Sequence, residues 1–291
     1  MNKLKLGLPK GSLENNTFEL FKKSGIRISR ESDRTYKPFC DDEELSIVLF
    51  RAQEIPKYVE SGVIDAGITG YDWICETEAK VMQICELVYS KAGFRKVKWV
   101  LAVSNNSNIK SVKQLQNKTI ATEVVNIVKK YLEKNKVKAK VEFSWGSTEV
   151  KVPEFVDAIV ELTETGNSLK ANNLKIIDEV FFSTTRFIAN INSYKNPWKK
   201  EKINSLSILL QGALCAESMV GLKMNLNKNK LNKILSVLPA MKKPTVSNLA
   251  LKNWVALEVA LEEKIAKEII PKLKKLGAEG IIEYPLNKVI P

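Results

Sequence analysis

No stretch narrows the possible folds further than Asp157-Ala158-Ile159-Val160-Glu161-Leu162-Thr163-Glu164-Thr165-Gly166-Asn167-Ser168-Leu169. It begins as a short apolar strand carrying acidic groups. It then breaks into hydroxyls, an amide and one glycine, and helical spacing resumes near Leu169. A strand that feeds a helix through so short a polar turn belongs to an α/β layer structure. Such a turn aims N–H groups and hydroxyls at a helix start, where the dipole favours an anion. Glu161, two residues before the turn, is placed to face a diol whose anion the turn holds. Taken alone, the segment is better read as an ordinary strand-to-helix turn with a Ser or Thr cap.

The same alternation runs through the first two-thirds of the chain. Leu4–Leu8 reads as a strand ending in Pro9-Lys10-Gly11-Ser12, and 14–23 as a helix placing Phe18, Leu20 and Phe21 among charges. Leu45–Phe50 is a buried strand, Glu54–Glu60 a short helix and Ile64–Thr69 another strand, implying a mostly parallel sheet. The register restarts around 91–97. Strands follow at Lys98–Val103, Thr119–Thr122, Ala139–Ser144, Phe155–Leu162 and Leu174–Phe182, with helices at Val112–Leu115 and Val124–Asn135. Two α/β lobes joined by crossing strands leave a ligand cleft between them. The expected boundaries are 1–94 with 187–212 for one lobe and 95–186 for the other.

A helix at about 198–212 leads to a third region, 213–291. Its pattern is β-α-β-β-α-β: strand 219–226, helix 228–238, strands 244–249 and 253–260, helix 262–276 and strand 279–285. This is a ferredoxin-like order, of the kind found in small amino-acid-binding (ACT-like) domains and in plain oligomerisation modules. Gly277 stands where a helix C-cap belongs, and Pro271 predicts a kink or break in the last helix.

Composition removes several chemistries. The chain contains no histidine, so Ser-His and Cys-His nucleophiles and His-ligated metals are excluded. Acid–base work falls to carboxylates, lysines, backbone groups or the substrate itself. The net charge of +13 invites a nucleic-acid reading, yet only six of 46 basic residues are Arg, at 27, 30, 34, 51, 95 and 186. Lys spread along a whole chain is a solvated surface that recruits small polyanions, not a base reader. Cys40, Cys75, Cys85 and Cys215 form no Cys-x-x-Cys pair and read as reduced, partly buried thiols. No apolar run approaches the ~18–20 residues of a membrane span, and no export signal precedes the first strand. The expectation is therefore a cytoplasmic protein, acting on neither membrane nor nucleic acid.

Other short motifs surround the turn: Gly-Leu-Pro-Lys-Gly-Ser-Leu at 7–13, Phe50-Arg51, Ser61 to Asp72 with its Asp-Ala-Gly-Ile-Thr-Gly core, Ala121-Thr122-Glu123, and Gly146-Ser147-Thr148-Glu149. Gly212-Ala213-Leu214, Leu222-Lys223-Met224-Asn225, Pro244-Thr245-Val246 and Trp254-Val255-Ala256 follow it. In this order and spacing, the chain resembles the long form of the ATP phosphoribosyltransferase family along essentially its whole length. The resemblance implies two periplasmic-binding-protein-like catalytic lobes and a C-terminal regulatory domain. It also implies transfer of 5-phosphoribosyl from phosphoribosyl pyrophosphate to N1 of ATP, with Mg²⁺ neutralising the departing pyrophosphate. The rival is a two-lobed small-molecule binding protein without catalysis.

On that resemblance Thr163, Thr165, Gly166, Asn167 and Ser168 form the 5-phosphate cradle, Glu164 and Leu169 are further substrate-binding residues of the same segment, and Glu161 faces the ribose hydroxyls. The family usually has Asp where Glu161 stands, and often Arg or Ala and then Thr where Asn167 and Ser168 stand. Lys10 and Arg51 are expected on phosphate oxygens, Arg51 because a charge closing a buried strand is costly unless it meets an anion. Asp72 is expected at the cleft edge or capping a helix, Glu149 near adenine or ribose, and Asp157 either at substrate or tied into the strand start. The long form is inhibited by histidine at a subunit interface, where Asn225 and Thr245 match implicated positions, and it assembles as homo-oligomers, dimer or hexamer.

Overall fold

Leu4, Leu6 and Leu8 are wholly buried, as the centre of a sheet requires, and they lie on β1 (Leu4–Lys10). The computed structural model describes residues 2–90, 96–238 and 244–290. After β1 come α1 (Glu14–Lys23), a ribbon of β2 (Ile28–Ser29) and β3 (Phe39–Cys40), β4 (Leu45–Arg51), α2 (Ile55–Glu60), β5 (Ala66–Gly70), α3 (Tyr71–Thr77) and β6 (Met82–Leu87). Next are β7 (Val97–Ser104), β8 (Thr119–Thr122), α4 (Val125–Lys134), β9 (Lys140–Phe143), β10 (Ala158–Thr163), α5 (Asn167–Ala171) and β11 (Leu174–Ser183). β12 (Thr185–Ala189), α6 (Ile191–Lys195) and α7 (Pro197–Ala216) follow. The chain ends with β13 (Met219–Asn227), α8 (Leu231–Leu235), β14 (Thr245–Asn248), β15 (Trp254–Glu262), α9 (Glu263–Lys275) and β16 (Glu279–Pro285).

The chain separates into two units, Met1–Lys22 with Ile26–Ser207, and Lys23–Gly25 with Ile208–Pro291. The first holds two five-stranded sheets, ordered β4-β1-β5-β12-β6 and β11-β7-β10-β8-β9. Each sheet is mostly parallel, as the sequence predicts for the first, with one strand running against the rest: β12 in the first and β7 in the second. The chain leaves the first sheet after β6 and returns only with β12, which inserts between β5 and β6 and runs against both. In the second sheet β7 runs against β10 and β11, while β8 is parallel to β9 and β10. The expected restart at 91–97 and the 94/95 boundary fall largely on residues 91–95, outside the described residues, as does Arg95.

Strand β7 reads as continuously apolar because both its faces are covered. Trp99, Leu101 and Val103 pack on one side, Val100 and Ala102 on the other. β10 starts at Ala158, three residues later than predicted. The preceding chain is held in a turn by Phe155 N–H donating to the Lys151 carbonyl, with the Phe155 ring 75 % exposed.

In the second unit the β-α-β-β-α-β order is present, and the sheet order is β14-β15-β13-β16, antiparallel throughout. Alternate residues of β13 and β15, from Val220 to Leu226 and from Val255 to Leu261, meet α8 and α9 in one core. The predicted helix over 228–238 is only a 3₁₀ turn, Lys228–Lys230, followed by the short α8. Pro271 breaks nothing: α9 runs through it unbroken. Interior proline costs about 3 kcal/mol, but here it sits exposed while Ala266, Ile269 and Leu273 anchor the helix to the sheet. The expected stop is present. Gly277 has φ +92, its N–H donates to the Lys274 carbonyl, and the Ala278 N–H donates to that of Leu273, the paired bonds of a Schellman end.

Candidate active site

A cavity of about 530 Å³ opens within the first unit, walled by residues from both sheets. The second sheet contributes Glu161, Leu162 and Thr163 from the carboxyl end of β10 and Glu164, Thr165, Asn167 and Ser168 from the turn beyond it. The first contributes Lys10 at the end of β1 and Arg51 at the end of β4. Carboxyl ends of parallel strands are where open α/β sheets hold ligands.

The turn is fixed from within. Thr163 is buried, and its Oγ1 accepts the Gly166 N–H at 2.7 Å. Gly166 takes φ +76, a left-handed conformation that side chains resist. It lies buried behind the cavity wall, so it shapes the turn while its neighbours face the cavity. Ser90 Oγ donates to Glu164 at 3.0 Å, and Ser168 Oγ donates to Glu149. α5 has only five residues, so the turn's own hydroxyls and N–H groups carry more of any anion site than a helix dipole would.

Glu161 is a strongly perturbed acid on the wall. Burial pushes its carboxyl up to about 7; the nearby Glu149 and Glu123 charges add to the rise, and bonds from the Leu162 N–H and the Thr148 hydroxyl oppose it. A buried acid with a raised pKa destabilises the folded state once ionised. The stability it leaves intact below the ordinary value of 4.5 is lost as pH rises through about 7. Glu161→Gln is therefore expected to melt higher than the parent at about pH 8, with the gap closing at about pH 5. A gap independent of pH would remove the titration from the explanation.

Asp72 is buried and lines the cavity, but its oxygens are committed. Oδ2 accepts the Trp99 indole N–H at 2.8 Å and Oδ1 the Trp73 N–H at 3.0 Å, while the Asp72 N–H donates to Ser183 Oγ at 3.0 Å. It braces α3 against β7 and β11, with burial holding its carboxyl above the usual range despite those bonds. Gly70 makes room for it: a Cβ there would fall 2.0 Å from Asp72 Oδ1.

Two expected substrate contacts lie elsewhere. Asp157 sits before the amino end of β10, away from the cavity wall, tied to the Thr119 N–H at 2.9 Å and to Lys118 at 3.0 Å. This is its structural reading. Leu169 is 1 % exposed and packs in the core with Ile159 and Leu174. Arg51 is exposed at the end of β4, so the desolvation cost expected of it does not arise. Lys10 Nζ donates to the Asp33 carbonyl at 2.8 Å and lies 3.8 Å from the Tyr36 ring centre. Sequence reasoning missed Gln53 and the hydroxyl run Ser183-Thr184-Thr185 on the wall; three consecutive hydroxyls at a strand crossover were the available signal.

Asn225 and Thr245 both lie on the sheet face away from α8 and α9. Asn225 pairs with Ala256 and Thr245 with Glu258 on the intervening β15. The four cysteines are free and half-buried. Among the described residues no helix is long and apolar enough to cross a membrane.

The family model described as ATP phosphoribosyltransferase matches residues 51–212, and that described as HisG, C-terminal domain, matches 216–288. An ATP phosphoribosyltransferase of Chlorobaculum parvum is 56 % identical over 289 residues, covering 99 % of this chain and 98 % of that one. Another, from Thermodesulfovibrio yellowstonii, is 56 % identical over 288 residues, with the same coverage of both. Among solved structures, the ATP phosphoribosyl transferase (HisG:HisZ) complex from Thermotoga maritima aligns with TM-score 0.62 and 31 % identity. The match covers 74 % of this chain and all of that one.

Proposed function

The chain belongs to the ATP phosphoribosyltransferase family, and from that membership we propose how its cleft carries out the transfer. The reaction is the first step of histidine biosynthesis: 5-phosphoribosyl passes from phosphoribosyl pyrophosphate to N1 of ATP, releasing pyrophosphate. Both substrates are polyanions, and the ribose gains cationic character as pyrophosphate leaves. Positioning and charge stabilisation therefore supply most of the acceleration.

Thr163, Thr165, Asn167 and Ser168 hold the 5-phosphate, with Gly166 and Glu164 shaping their turn. Glu161 grips the ribose hydroxyls and faces the developing cation. Lys10 and Arg51 approach from the other sheet and take phosphate oxygens, and Glu149 fixes Ser168 from behind. The observation that carries this reading is one cavity in which Glu161 and the polar turn face Lys10 and Arg51. We read 1–94 with 187–212 and 95–186 as the two lobes: the first carries β1, β4, β5, β6 and most of β12, the second β7 to β11, and the boundary at 186/187 falls inside β12.

Mg²⁺ supplies charge neutralisation on pyrophosphate. Among the described residues no cluster of three or more Cys, Asp or Glu side chains suits a metal; the ion would be carried by the substrates' phosphates, as Mg²⁺ commonly is. The C-terminal unit, 213–291 in this reading, binds histidine as inhibitor on the face bearing Asn225 and Thr245 and contributes to a homo-oligomer, dimer or hexamer. Asn225 accepts a bond there without a carboxylate's charge. The enzyme works in the cytoplasm.

Incubation with ATP, phosphoribosyl pyrophosphate and Mg²⁺ is expected to release pyrophosphate and to give phosphoribosyl-ATP, read by its absorbance. No product under these conditions would overturn the mechanism. Histidine is expected to bind the intact chain with measurable heat and not to bind a chain ending at Gln211. Binding that survives the truncation would move the effector site into the lobes.

A further inference from the structure

A carboxylate inside a turn that holds a phosphate calls for a physical reason. Glu164 stands between Thr163 and Thr165, half-buried on the cavity wall. Like charges a few ångströms apart and shielded from water repel strongly, so an acid swinging over the turn would oppose the 5-phosphate. The fold gives this carboxylate another place. Its Oε2 accepts the Ser90 hydroxyl at 3.0 Å, a charge-assisted bond, and Ser90 comes from the opposite wall.

Ser90 is held as a fixed post. It is buried, as is Tyr89 before it. Thr17 Oγ1, on α1, donates to the Leu13 carbonyl at 2.7 Å, which leaves it to accept the Tyr89 hydroxyl, also at 2.7 Å. The Tyr89 carbonyl accepts the Thr185 hydroxyl at 2.8 Å, from β12 of the first sheet. The Asn16 side chain, again on α1, donates to the Ser90 carbonyl at 2.7 Å. On the other side, Glu164 follows buried Thr163, whose Oγ1 holds the Gly166 N–H and so fixes the turn. A single hydroxyl–carboxylate bond therefore joins the turn after β10 to α1 and β12, at the cavity that the two sheets share.

We propose that Ser90 and Glu164 form a clasp across the cleft, in which Ser90 is a positioning residue for the 5-phosphate turn. The clasp sets the turn against the wall bearing Lys10 and Arg51 and keeps the acid's charge away from the phosphate. A phosphoribosyl pyrophosphate held by the turn at one end and by Lys10 and Arg51 at the other spans both walls, so a shift of the turn by about an ångström misplaces the reacting carbon. Asn16 serves the same end through the Ser90 carbonyl. The clasp rests on the reading of this turn as the 5-phosphate cradle.

The test is a double-mutant cycle in the full chain, with Ser90→Ala, Glu164→Ala and the two combined, and with Glu164→Gln beside them. Thermal melts verify that each variant is folded. Either Ala substitution is expected to raise the KM for phosphoribosyl pyrophosphate about tenfold and to leave that for ATP within about twofold. The double variant is expected to lose no more than Ser90→Ala alone, because the cycle isolates what the pair does together. Glu164→Gln, whose amide oxygen still accepts the Ser90 proton, is expected to stay within about threefold of the parent. Losses that multiply in the double variant, or an unchanged KM for phosphoribosyl pyrophosphate in Ser90→Ala, would overturn the clasp. A loss in Glu164→Gln as large as in Glu164→Ala would also overturn it, by assigning the role to the charge itself, and so would equal rises in both constants. If the parent chain makes no phosphoribosyl-ATP, the catalytic reading fails on its own. The same cycle read by calorimetric binding of phosphoribosyl pyrophosphate then still decides the clasp.

Discussion

Replacing Glu161 by Ala is expected to lower turnover by about a hundred- to a thousandfold while the protein stays folded. Loss of one preorganised contact to charge that develops in the transition state typically costs about 2.7–4 kcal/mol. Glu161 meets the conditions for a loss of that size. It sits on the cavity wall, and burial together with Glu149 and Glu123 raises its carboxyl to about 7. Ionised opposite a ribose that turns cationic, it acts where water screens least. The same titration gives the rate a pH profile: activity of the parent should climb as pH passes through about 7. Glu161→Gln should be slow at every pH and lack that rise. Normal folding with near-parent turnover in Glu161→Ala would remove the residue from the ribose.

Local patterns were legible in the sequence to the extent that local packing enforces them. Strand β4 and the alternation of β13 appear as apolar runs because each residue's fate depends on the face it occupies. The turn at 163–168 showed in its residue types, since only Gly tolerates the conformation of Gly166 easily. The crossover was not legible. Strands β6 and β12 are paired with each other across roughly a hundred residues of chain, and neither carries a local signal as strong as β4. That distance also hid the antiparallel insertion that makes the first sheet mixed.

Roles of individual acids were legible only in part. Asp157 and Glu161 stand four residues apart on one run, and composition ranks them alike. The structure separates them because β10 presents its carboxyl end to the cavity and leaves Asp157 tied to Thr119 and Lys118 at the other end. Asp72 shows the same lesson in another form. Its place after a Gly-rich strand looked like a cleft edge, and it does line the cavity, but Trp99 and Ser183, which occupy its polar groups, are remote in sequence.

Gly166→Val is expected to weaken phosphoribosyl pyrophosphate binding severely, by tenfold at least, and ATP binding little. The cause is backbone geometry more than crowding. A Cβ at this position would meet only the Ile176 side chain, at 3.7 Å, an ordinary contact. At φ +76, however, a β-branched residue is strained, and holding a non-Gly residue there costs about 1–3 kcal/mol. Relief of that strain means leaving the left-handed region. The bond from the Gly166 N–H to Thr163 Oγ1 and that from the Lys170 N–H to the Gly166 carbonyl would then break. Thr165, Asn167 and Ser168 would lose their common orientation towards the cavity, while the wall built by the other sheet, with Lys10 and Arg51, would stay as it is. Calorimetry with each substrate separates the outcomes. A selective loss for phosphoribosyl pyrophosphate places the 5-phosphate on this turn, and equal losses for both substrates would mean that the substitution damages the whole cleft.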